Sequence, residues 1–267
     1  IRTVRGYGLD PWAGADSLVL CASYSGDTEE TLAAYEAARA LDAPRVALTT
    51  GGELARLARD DGVPVIGIPS GMQPRAAVVY MTVAALECAA ACGAAPSLRS
   101  EIESAAETLR AIAADDSGAR ALAEALRDRI AVIHGAGSTA APANRWKTQL
   151  NENAKVPAFA AELPEADHNE VVGYGDGDGA RFAAVFLDDD GLDARLRRRL
   201  DVTAETLQEA GVVSHRVLAR GDSPVERVLS LVLLGDLTSV HLALLRGVDP
   251  TPVEAIEALK RRLAGQP

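Results

Sequence analysis

Apolar residues recur along the chain in short uninterrupted runs, and helix-like segments separate these runs. Six short, mainly apolar segments are predicted strands, three in each half of the chain: 17–23, 45–49, 63–69, 130–134, 181–187 and 212–217. A continuous apolar run of this length predicts a strand that is covered on both faces. Strands that alternate with helices at this spacing predict a parallel, doubly wound α/β fold.

The same pattern predicts two domains of one plan. It breaks at 93–96, and residues 97–116 are predicted to form an amphipathic connecting helix whose glutamates face solvent. We therefore expect a first domain over 1–96, the connecting helix over 97–116 and a second domain over 117–267.

Two long apolar segments, 76–92 and 225–245, are predicted to be helices. The second is long and poor in charge, which favours a place in the core or in a subunit interface. Neither contains an uninterrupted apolar run of the roughly 18 residues that a membrane span needs. The chain also does not open on a basic and then apolar leader. We expect a cytoplasmic protein with no membrane partner.

Composition narrows the partners further. Apolar residues make up 48% of the chain but aromatic residues only 4%, so the core must consist of Ala, Leu and Val. The formal net charge is -11 with a pI near 4.9. This acidity argues against nucleic acid as a partner. A phosphorylated metabolite stays possible, because it responds to local amides and cations rather than to net charge.

The three cysteines do not predict a disulfide framework. Cys88 and Cys92 lie four residues apart in a helical run, and both are predicted to be small buried hydrophobic residues. Cys21 lies in a predicted strand and is assigned to the core. His134, at a strand end on an apolar run, is predicted to be a core histidine with satisfied hydrogen bonds.

No segment predicts a metal or a cofactor. His215 and His241 have no partner at metal-ligand spacing. The aspartate-rich segments 176–179 and 188–190 lack the remaining ligand spacing of a calcium loop and are predicted turns. The Gly-Ala-Gly turn within 135–139 is an incomplete dinucleotide motif, because alanine stands at its third glycine position.

A turn of small residues, 24–31, joins the first predicted strand to an alanine-rich helix. A helix start presents free amides, and the hydroxyls of Ser23, Ser25 and Thr28 add donors, so this turn predicts an anion site. An ordinary helix cap by Asp27 or Thr28 explains much of the same composition. The pattern leaves both interpretations open.

Two segments of the second half, 145–155 and 162–170, carry the residues best suited to proton transfer. Glu152 lies near the end of a helix-like run, and His168 follows sixteen residues later beyond a Leu-Pro break. A base and an acid brought close by one turn of chain are what such chemistry needs. An exposed helix carboxylate is the commoner role of a single glutamate, so this interpretation also stays open.

Arg75 follows a proline at the start of the helix predicted over 76–92. A cation gains nothing from the helix dipole at that end. A bound anion would explain the arginine, and a solvated surface arginine is the alternative.

These segments resemble a known family. Residues 22–31, Ala-Ser-Tyr-Ser-Gly-Asp-Thr-Glu-Glu-Thr, resemble the phosphate loop of sugar isomerase (SIS) domains. Residues 73–75 (Gln-Pro-Arg), 145–155 (Arg-Trp-Lys-Thr-Gln-Leu-Asn-Glu-Asn-Ala-Lys) and 162–170 (Glu-Leu-Pro-Glu-Ala-Asp-His-Asn-Glu) resemble the bifunctional phosphoglucose/phosphomannose isomerases. The resemblance covers nearly the whole chain. It implies two doubly wound, flavodoxin-like SIS subdomains and a homodimer.

The resemblance implies an aldose–ketose isomerase that interconverts glucose 6-phosphate or mannose 6-phosphate with fructose 6-phosphate through a cis-enediol, without metal or cofactor. It also implies a role for seven residues. They are Ser23, Ser25 and Thr28 as phosphate ligands, Glu152 as the base that moves the proton between C1 and C2, His168 as the group that assists ring opening in the partner subunit's site, and Arg75 and Lys260 as active-site cations.

Family members usually begin with a further segment that contains the first strand and a Gly-Gly-Ser-rich loop of the first SIS domain. Here little more than a strand's length precedes Ser17. We therefore expect the first subdomain to be N-terminally incomplete. A non-catalytic sugar-phosphate-binding protein, a regulator or sensor, is the alternative function. A serine hydrolase is disfavoured, because Ser23 rather than glycine stands two residues before Ser25.

Overall fold

The computed structural model describes residues 1–175, 177, 179–263 and 265. The chain forms two compact units, Ile1–Arg99 and Ser100–Pro267. Each unit contains one parallel sheet with helices, so the predicted α/β class is confirmed. Asp176 and Asp178 of the first aspartate-rich segment lie outside the described residues.

The first unit has a three-stranded sheet of order β1-β2-β3. Its elements are β1 (Val19–Ala22), α1 (Glu29–Ala40), β2 (Arg45–Thr49), α2 (Gly52–Asp60), β3 (Val65–Gly67) and α3 (Val78–Ala91). A short 3₁₀ turn, Pro74–Ala77, precedes α3. Small and aromatic side chains form the core against α1 and α2: Cys21, Tyr35, Ala47, Leu54 and Ala58.

The second unit has a four-stranded parallel sheet of order β5-β4-β6-β7. Its strands are β4 (Ile130–Ala136), β5 (Ala158–Leu163), β6 (Phe182–Asp188) and β7 (Val213–Leu218). Its helices are α4 (Arg99–Ala114), α5 (Ser117–Leu126), α6 (Ala140–Glu152), α7 (Ala194–Glu209), α8 (Pro224–Leu245) and α9 (Glu254–Leu263). Short 3₁₀ turns occur at Gly137–Thr139, Glu165–His168, Glu170–Tyr174 and Gly179–Arg181. Helix α4 matches the predicted connecting helix, while the domain bounds stay predictions.

The direction of the strands in the second sheet determines at which end of the strands each connecting helix begins and ends. β4 and β5 pair in parallel from Ala131 with Ala158 to Ala136 with Leu163. The other strand pairs of this sheet are also parallel, so all four strands begin on one side and end on the opposite side. We call the side with the strand starts the amino edge and the side with the strand ends the carboxyl edge; both differ from the two edge strands, β5 and β7. Because α6 connects the end of β4 to the start of β5, it begins at the carboxyl edge and ends at the amino edge.

The strand β5 was not among the predicted strands. It is an edge strand, and Phe159, with 54% of its surface exposed, interrupts the burial that a covered strand shows. Its alanines give no apolar contrast between the two faces. An edge strand of small residues is therefore poorly marked in the sequence.

Helix α8 lies in the core of the second unit, as its apolar sequence predicts. It packs with α5 and α6 through side chains that include Leu231 and Leu242. The segment Pro74–Ala91 and α8 both have the length and composition of a membrane span, but buried core helices share these properties and α8 is mostly buried. The absence of a membrane partner stays a prediction.

The cysteine predictions are confirmed in part. Cys21 and Cys88 are buried, whereas Cys92 is exposed, so its assignment to the interior was wrong. Helix α3 ends at Ala91, Cys92 is its C-cap, and Gly93 follows with a φ of +72°. The break at 93–96 marks this helix end in the sequence, but it does not show which side chains of the last turn are exposed.

His134 is a core residue, but the prediction that its hydrogen bonds are satisfied was wrong. The ring is 1% exposed and stacks on Phe186 with centroids 4.6 Å apart. Neither ring nitrogen has a hydrogen-bond partner among the described residues. Burial lowers the pKa of His134 to about 4, against a smaller opposing effect of the Asp167 carboxylate. The imidazole is therefore neutral at pH 7.

Gly235 is required where α8 crosses α6. The indole of Trp146 is 1% exposed and donates a 2.7 Å hydrogen bond to the Leu231 carbonyl. A Cβ on Gly235 would lie 2.4 Å from that ring. We expect Gly235→Ala to lower the free energy of unfolding by about 1–3 kcal/mol, because the ring is held and buried. Urea unfolding measures this.

Gly118 in α5 provides the matched control, since a Cβ there meets nothing within 4 Å. Gly118→Ala should leave stability unchanged or raise it by about 0.5–1 kcal/mol, the usual gain of alanine over glycine in a helix. Equal effects of the two substitutions would contradict the close contact.

The neutral state of His134 predicts a pH dependence of stability. Because its pKa in the folded state is about 4, the unfolded chain binds the proton first as the pH falls. Its contribution is complete above about pH 6.5 and is lost toward pH 4, by about 3 kcal/mol. In His134→Leu, the difference between unfolding free energies at pH 7.5 and 4.5 should shrink by this order. An unchanged difference would contradict the assignment.

Candidate active site

The predicted phosphate turn lies between β1 and α1 and is closed by its own hydroxyls. Ser23 is 5% exposed, and its Oγ lies 2.8 Å from Thr28 Oγ1. The same Oγ accepts a hydrogen bond from the Gly26 amide at 3.1 Å. Ser25 is exposed, and its Oγ accepts from the Asp27 amide at 3.2 Å. The three predicted donors therefore share one short turn.

The alternative interpretation, an ordinary helix cap, does not account for this turn. Thr28 stands at the N-cap of α1, but its side chain makes no capping hydrogen bond there. Asp27 instead accepts a 2.9 Å hydrogen bond from the Glu53 amide at the start of α2. The first amides of α1 thus lack a side-chain cap among the described residues, which is the arrangement that suits an anion.

Two glycines join this turn to the loop after β2. Gly26 has a φ of +81°, and a Cβ on it would lie 2.0 Å from the Gly51 carbonyl oxygen. Gly52 has a φ of +67°, and a Cβ on it would lie 2.4 Å from the Ser25 carbonyl oxygen. The backbones of the two loops are therefore in direct contact. Gly26 serves this contact, a role that the sequence did not reveal.

Tyr24 connects the phosphate turn to the loop that leads to Arg75. Its hydroxyl accepts a 3.0 Å hydrogen bond from the Met72 amide and donates one of 3.3 Å to the Pro69 carbonyl. Arg75 lies in the 3₁₀ turn that follows, half-buried, with its Nη1 3.4 Å from Gln73 Oε1. The first unit thus holds Arg75 through a tyrosine that the sequence analysis did not single out.

Glu152 is the last residue of α6 and is half-buried. The two residues that flank Glu152, Asn151 and Asn153, hold its backbone through side-chain hydrogen bonds. Asn151 Nδ2 donates to the Val156 carbonyl at 2.9 Å. Asn153, which is 5% exposed, donates to Ser239 Oγ on α8, also at 2.9 Å. The carboxylate therefore stands on a helix end that is tied to two neighbouring segments.

The segment before α9 is joined to the same helix end. Lys155 Nζ donates to the Pro250 carbonyl at 3.2 Å, to the Pro252 carbonyl at 2.7 Å and to the carbonyl of Glu152 itself. Lys260 lies further along α9 and is exposed, and no residue of α9 is buried. The structure thus brings the start of the Lys260 helix to the end of the Glu152 helix.

His168 ends the 3₁₀ turn that follows β5, and its side chain is exposed. The preceding residue holds this turn to α7, because Asp167 accepts from Thr203 Oγ1 at 2.7 Å and pairs with Arg199 at 3.0 Å. The histidine is thereby presented to solvent on an anchored turn.

Within one chain, Glu152 and His168 lie at opposite edges of the second sheet. Glu152 ends α6 at the amino edge, while His168 follows the end of β5 at the carboxyl edge. The six residues of β5 separate these edges, a span of roughly 20 Å at about 3.3 Å per residue. The expectation that one turn of chain brings the two groups close was therefore wrong for a single chain. The strand between them, missed in the sequence, is the reason.

In the second unit, the corresponding turn after β4 is Gly137–Thr139, and a carboxylate from the end of β6 lies against it. Ser138 Oγ donates to Asp189 Oδ2 at 2.8 Å, and Asp189 Oδ1 lies 2.6 Å from Arg227 Nε. Asp189 is 2% exposed. This turn is therefore poorly suited to an anion. Over the described residues, no group of three or more His, Cys, Asp and Glu side chains is arranged to hold a metal ion.

Comparisons with known proteins find matches over most of the chain. The family described as "Bacterial phospho-glucose isomerase C-terminal SIS domain" matches residues 115–263. A bifunctional phosphoglucose/phosphomannose isomerase from Caldicellulosiruptor bescii is 37% identical over 97% of this chain and 80% of its own length. One from Aquifex aeolicus is 35% identical over the same shares.

Solved structures show the same fold. A crystal structure of a hypothetical protein from Thermus thermophilus has a TM-score of 0.73 and 19% identity, covering 96% of this chain and 72% of that one. The C-terminal domain of glucosamine-fructose-6-phosphate aminotransferase from Francisella tularensis has a TM-score of 0.72 and 15% identity, covering 91% and 76%. Together with the sequence matches, they confirm the predicted class of parallel-sheet SIS subdomains.

The contact between the two glycine loops predicts a specific loss of local stability. Gly26→Ala adds a Cβ at a left-handed backbone position and against the Gly51 carbonyl. We expect the substitution to lower the free energy of local opening over residues 19–54 by about 3 kcal/mol, so that their amides exchange faster. Hydrogen exchange read by mass spectrometry measures this.

Gly62→Ala is the matched control, since Gly62 has a φ of +67° and open space for a Cβ. It carries only the left-handed cost of about 1–2 kcal/mol. Equal protection in the two variants would show that the loops do not depend on the contact.

Proposed function

Because the chain belongs to the family of bifunctional phosphoglucose/phosphomannose isomerases, we propose that it interconverts glucose 6-phosphate or mannose 6-phosphate with fructose 6-phosphate. Membership in the family carries this proposal, since the similarity extends over 97% of the chain at 37% identity. The geometry of the described residues supports the assignment of each step.

Glu152 is the base of the reaction. Exchange between an aldose and a ketose removes a proton from the carbon next to a carbonyl and returns it to the neighbouring carbon, through a cis-enediol. One carboxylate can accept and then donate this proton if its position does not change between the two steps. The fixed backbone of Glu152, with Asn151 and Asn153 bonded on either side, supports this role.

Ser23, Ser25 and Thr28 bind the phosphate together with the first amides of α1. The clustered hydroxyls and the uncapped helix start support this step. The phosphate is remote from the reacting carbons, so its binding energy serves to position them. Arg75 and Lys260 stabilise the negative charge that develops on the enediolate oxygens.

His168 assists ring opening, and it acts in the site of a second copy of the chain. A general acid and a general base must each lie within hydrogen-bond distance of the sugar. Glu152 and His168 of one chain are at opposite sheet edges and do not meet this condition together. A homodimer in which each chain supplies its histidine to the other supports the complete reaction.

The proton transfers need no metal or cofactor, because side chains supply the base, the acid and the charge stabilisation. We place the enzyme in the cytoplasm, with no nucleic acid or membrane as a partner. A sugar-phosphate sensor would use the same phosphate turn without turnover. The relatives are named isomerases, which favours turnover over binding alone.

The base assignment predicts the effect of Glu152→Gln. The amide cannot accept the proton, so kcat for fructose 6-phosphate should fall by about 10²–10⁴. Binding of glucitol 6-phosphate, which has no carbonyl, should change little because the phosphate ligands are intact. A coupled assay in the presence of a chelator, together with calorimetry, measures both.

Glu124→Gln is the matched control, since Glu124 is an exposed glutamate on α5 in the same unit. Its kcat for fructose 6-phosphate should equal that of the parent. Activity in Glu152→Gln near that of the parent would refute the base. A parent that binds glucitol 6-phosphate but converts no fructose 6-phosphate would establish the sensor.

A further inference from the structure

Lysine is rare in this protein. Of the 27 lysine and arginine residues, only three are lysines: Lys147, Lys155 and Lys260. The exposed ion pairs of the described helices are made by arginine, for example by Arg56 and Arg110. Each of the three lysines therefore places an ammonium where this chain otherwise uses a guanidinium.

Among the described residues, the hydrogen bonds of the Lys155 ammonium all go to backbone carbonyls. Its Nζ donates to the carbonyls of Glu152, Pro250 and Pro252, and the last two distances are 3.2 and 2.7 Å. An ammonium has three N–H donors, so these three acceptors account for all of them. The Glu152 carbonyl is one of the last of α6, where a positive charge also complements the helix dipole.

The backbone of Lys155 adds a second observation. Its φ is +56°, in the left-handed region that glycine ordinarily occupies after a helix. A side chain there carries a steric cost. A lysine at a position that favours glycine indicates that its side chain offsets this cost by the contacts it makes.

The acceptors belong to two elements that the proposed reaction uses. The carbonyl of Glu152 belongs to the residue that carries the base, and the carbonyls of Pro250 and Pro252 belong to the segment that leads into α9 and Lys260. No residue of α9 is buried. The hydrogen bonds of Lys155 therefore tie the segment before α9 to the end of α6.

We propose that Lys155 is a positioning residue for the isomerase reaction. Through its three backbone hydrogen bonds it holds the Glu152 carboxylate and the start of α9 in one arrangement. This inference rests on the proposed function and assigns a role to a residue outside the seven that are proposed to act on the sugar phosphate. Its ammonium is required as a compact donor, because a planar guanidinium directs its N–H groups along a fixed fork.

The experiment measures turnover per binding-competent site. Each variant is titrated with glucitol 6-phosphate to count sites per chain, and kcat for fructose 6-phosphate is divided by that count. A displacement of about 1 Å costs on the order of 10²-fold in rate. We therefore expect Lys155→Met and Lys155→Arg to lose about 10- to 100-fold in kcat per site, with KM within about threefold of the parent.

Rescue separates positioning from folding. Lys155→Cys is prepared with Cys92→Ser, since the other two cysteines are buried, and is alkylated with 2-bromoethylamine to give a side chain that ends in an ammonium. We expect kcat per site to return to within about threefold of the parent. Arg110→Met, which removes an exposed cation from α4, is the matched control and should behave like the parent.

Three results would overturn the proposal: a kcat per site in Lys155→Met within threefold of the parent, loss of the binding sites in step with turnover, or no rescue by the alkylated cysteine at a parental site count. Failure of the proposed function is distinguishable, because the parent itself would then bind glucitol 6-phosphate without turning over fructose 6-phosphate.

Discussion

The parallel direction of the strands in the second sheet is the constraint on which the proposed site depends. Because β4 and β5 run the same way, the helix between them must end where β5 begins. Glu152 is thereby fixed at the amino edge and His168 at the carboxyl edge. No rotamer change closes a gap of the length of a strand. The proposed reaction, which uses both groups on one sugar, is therefore assigned to a site shared by two copies of the chain.

Polar side chains near the proposed catalytic groups mainly hold backbone. Around Glu152, three residues of one short segment, Asn151, Asn153 and Lys155, bond to other elements. In the phosphate turn, Asp27 bonds to the start of α2 rather than capping α1. These contacts fix the catalytic groups by unrelated means in the two units. The segment 145–155, by which the family resemblance is recognised, thus contains residues that hold the backbone around Glu152 as well as Glu152 itself.

The sequence predicts β4 and β6 most clearly, since their apolar runs are continuous and their side chains are buried. It misses β5, whose exposed Phe159 and alanines give no such run. The seven proposed site residues can be named from the segments that resemble the family. Their arrangement cannot, because the separation of Glu152 from His168 depends on the unpredicted strand. The close approach of Gly26 to Gly51 likewise arises only when distant segments meet. The same holds for the burial of the His134 ring nitrogens, which have no hydrogen-bond partner among the described residues.

The shared site is tested most directly by mixing two inactive variants, Glu152→Gln and His168→Ala, after unfolding and refolding together. A hybrid dimer contains one site with an intact Glu152 from one chain and an intact His168 from the other. With random assortment of equal amounts, half of the dimers are hybrids with one of two sites restored, so activity should return to about a quarter of the parent. A mixture that stays as inactive as its components would contradict the account.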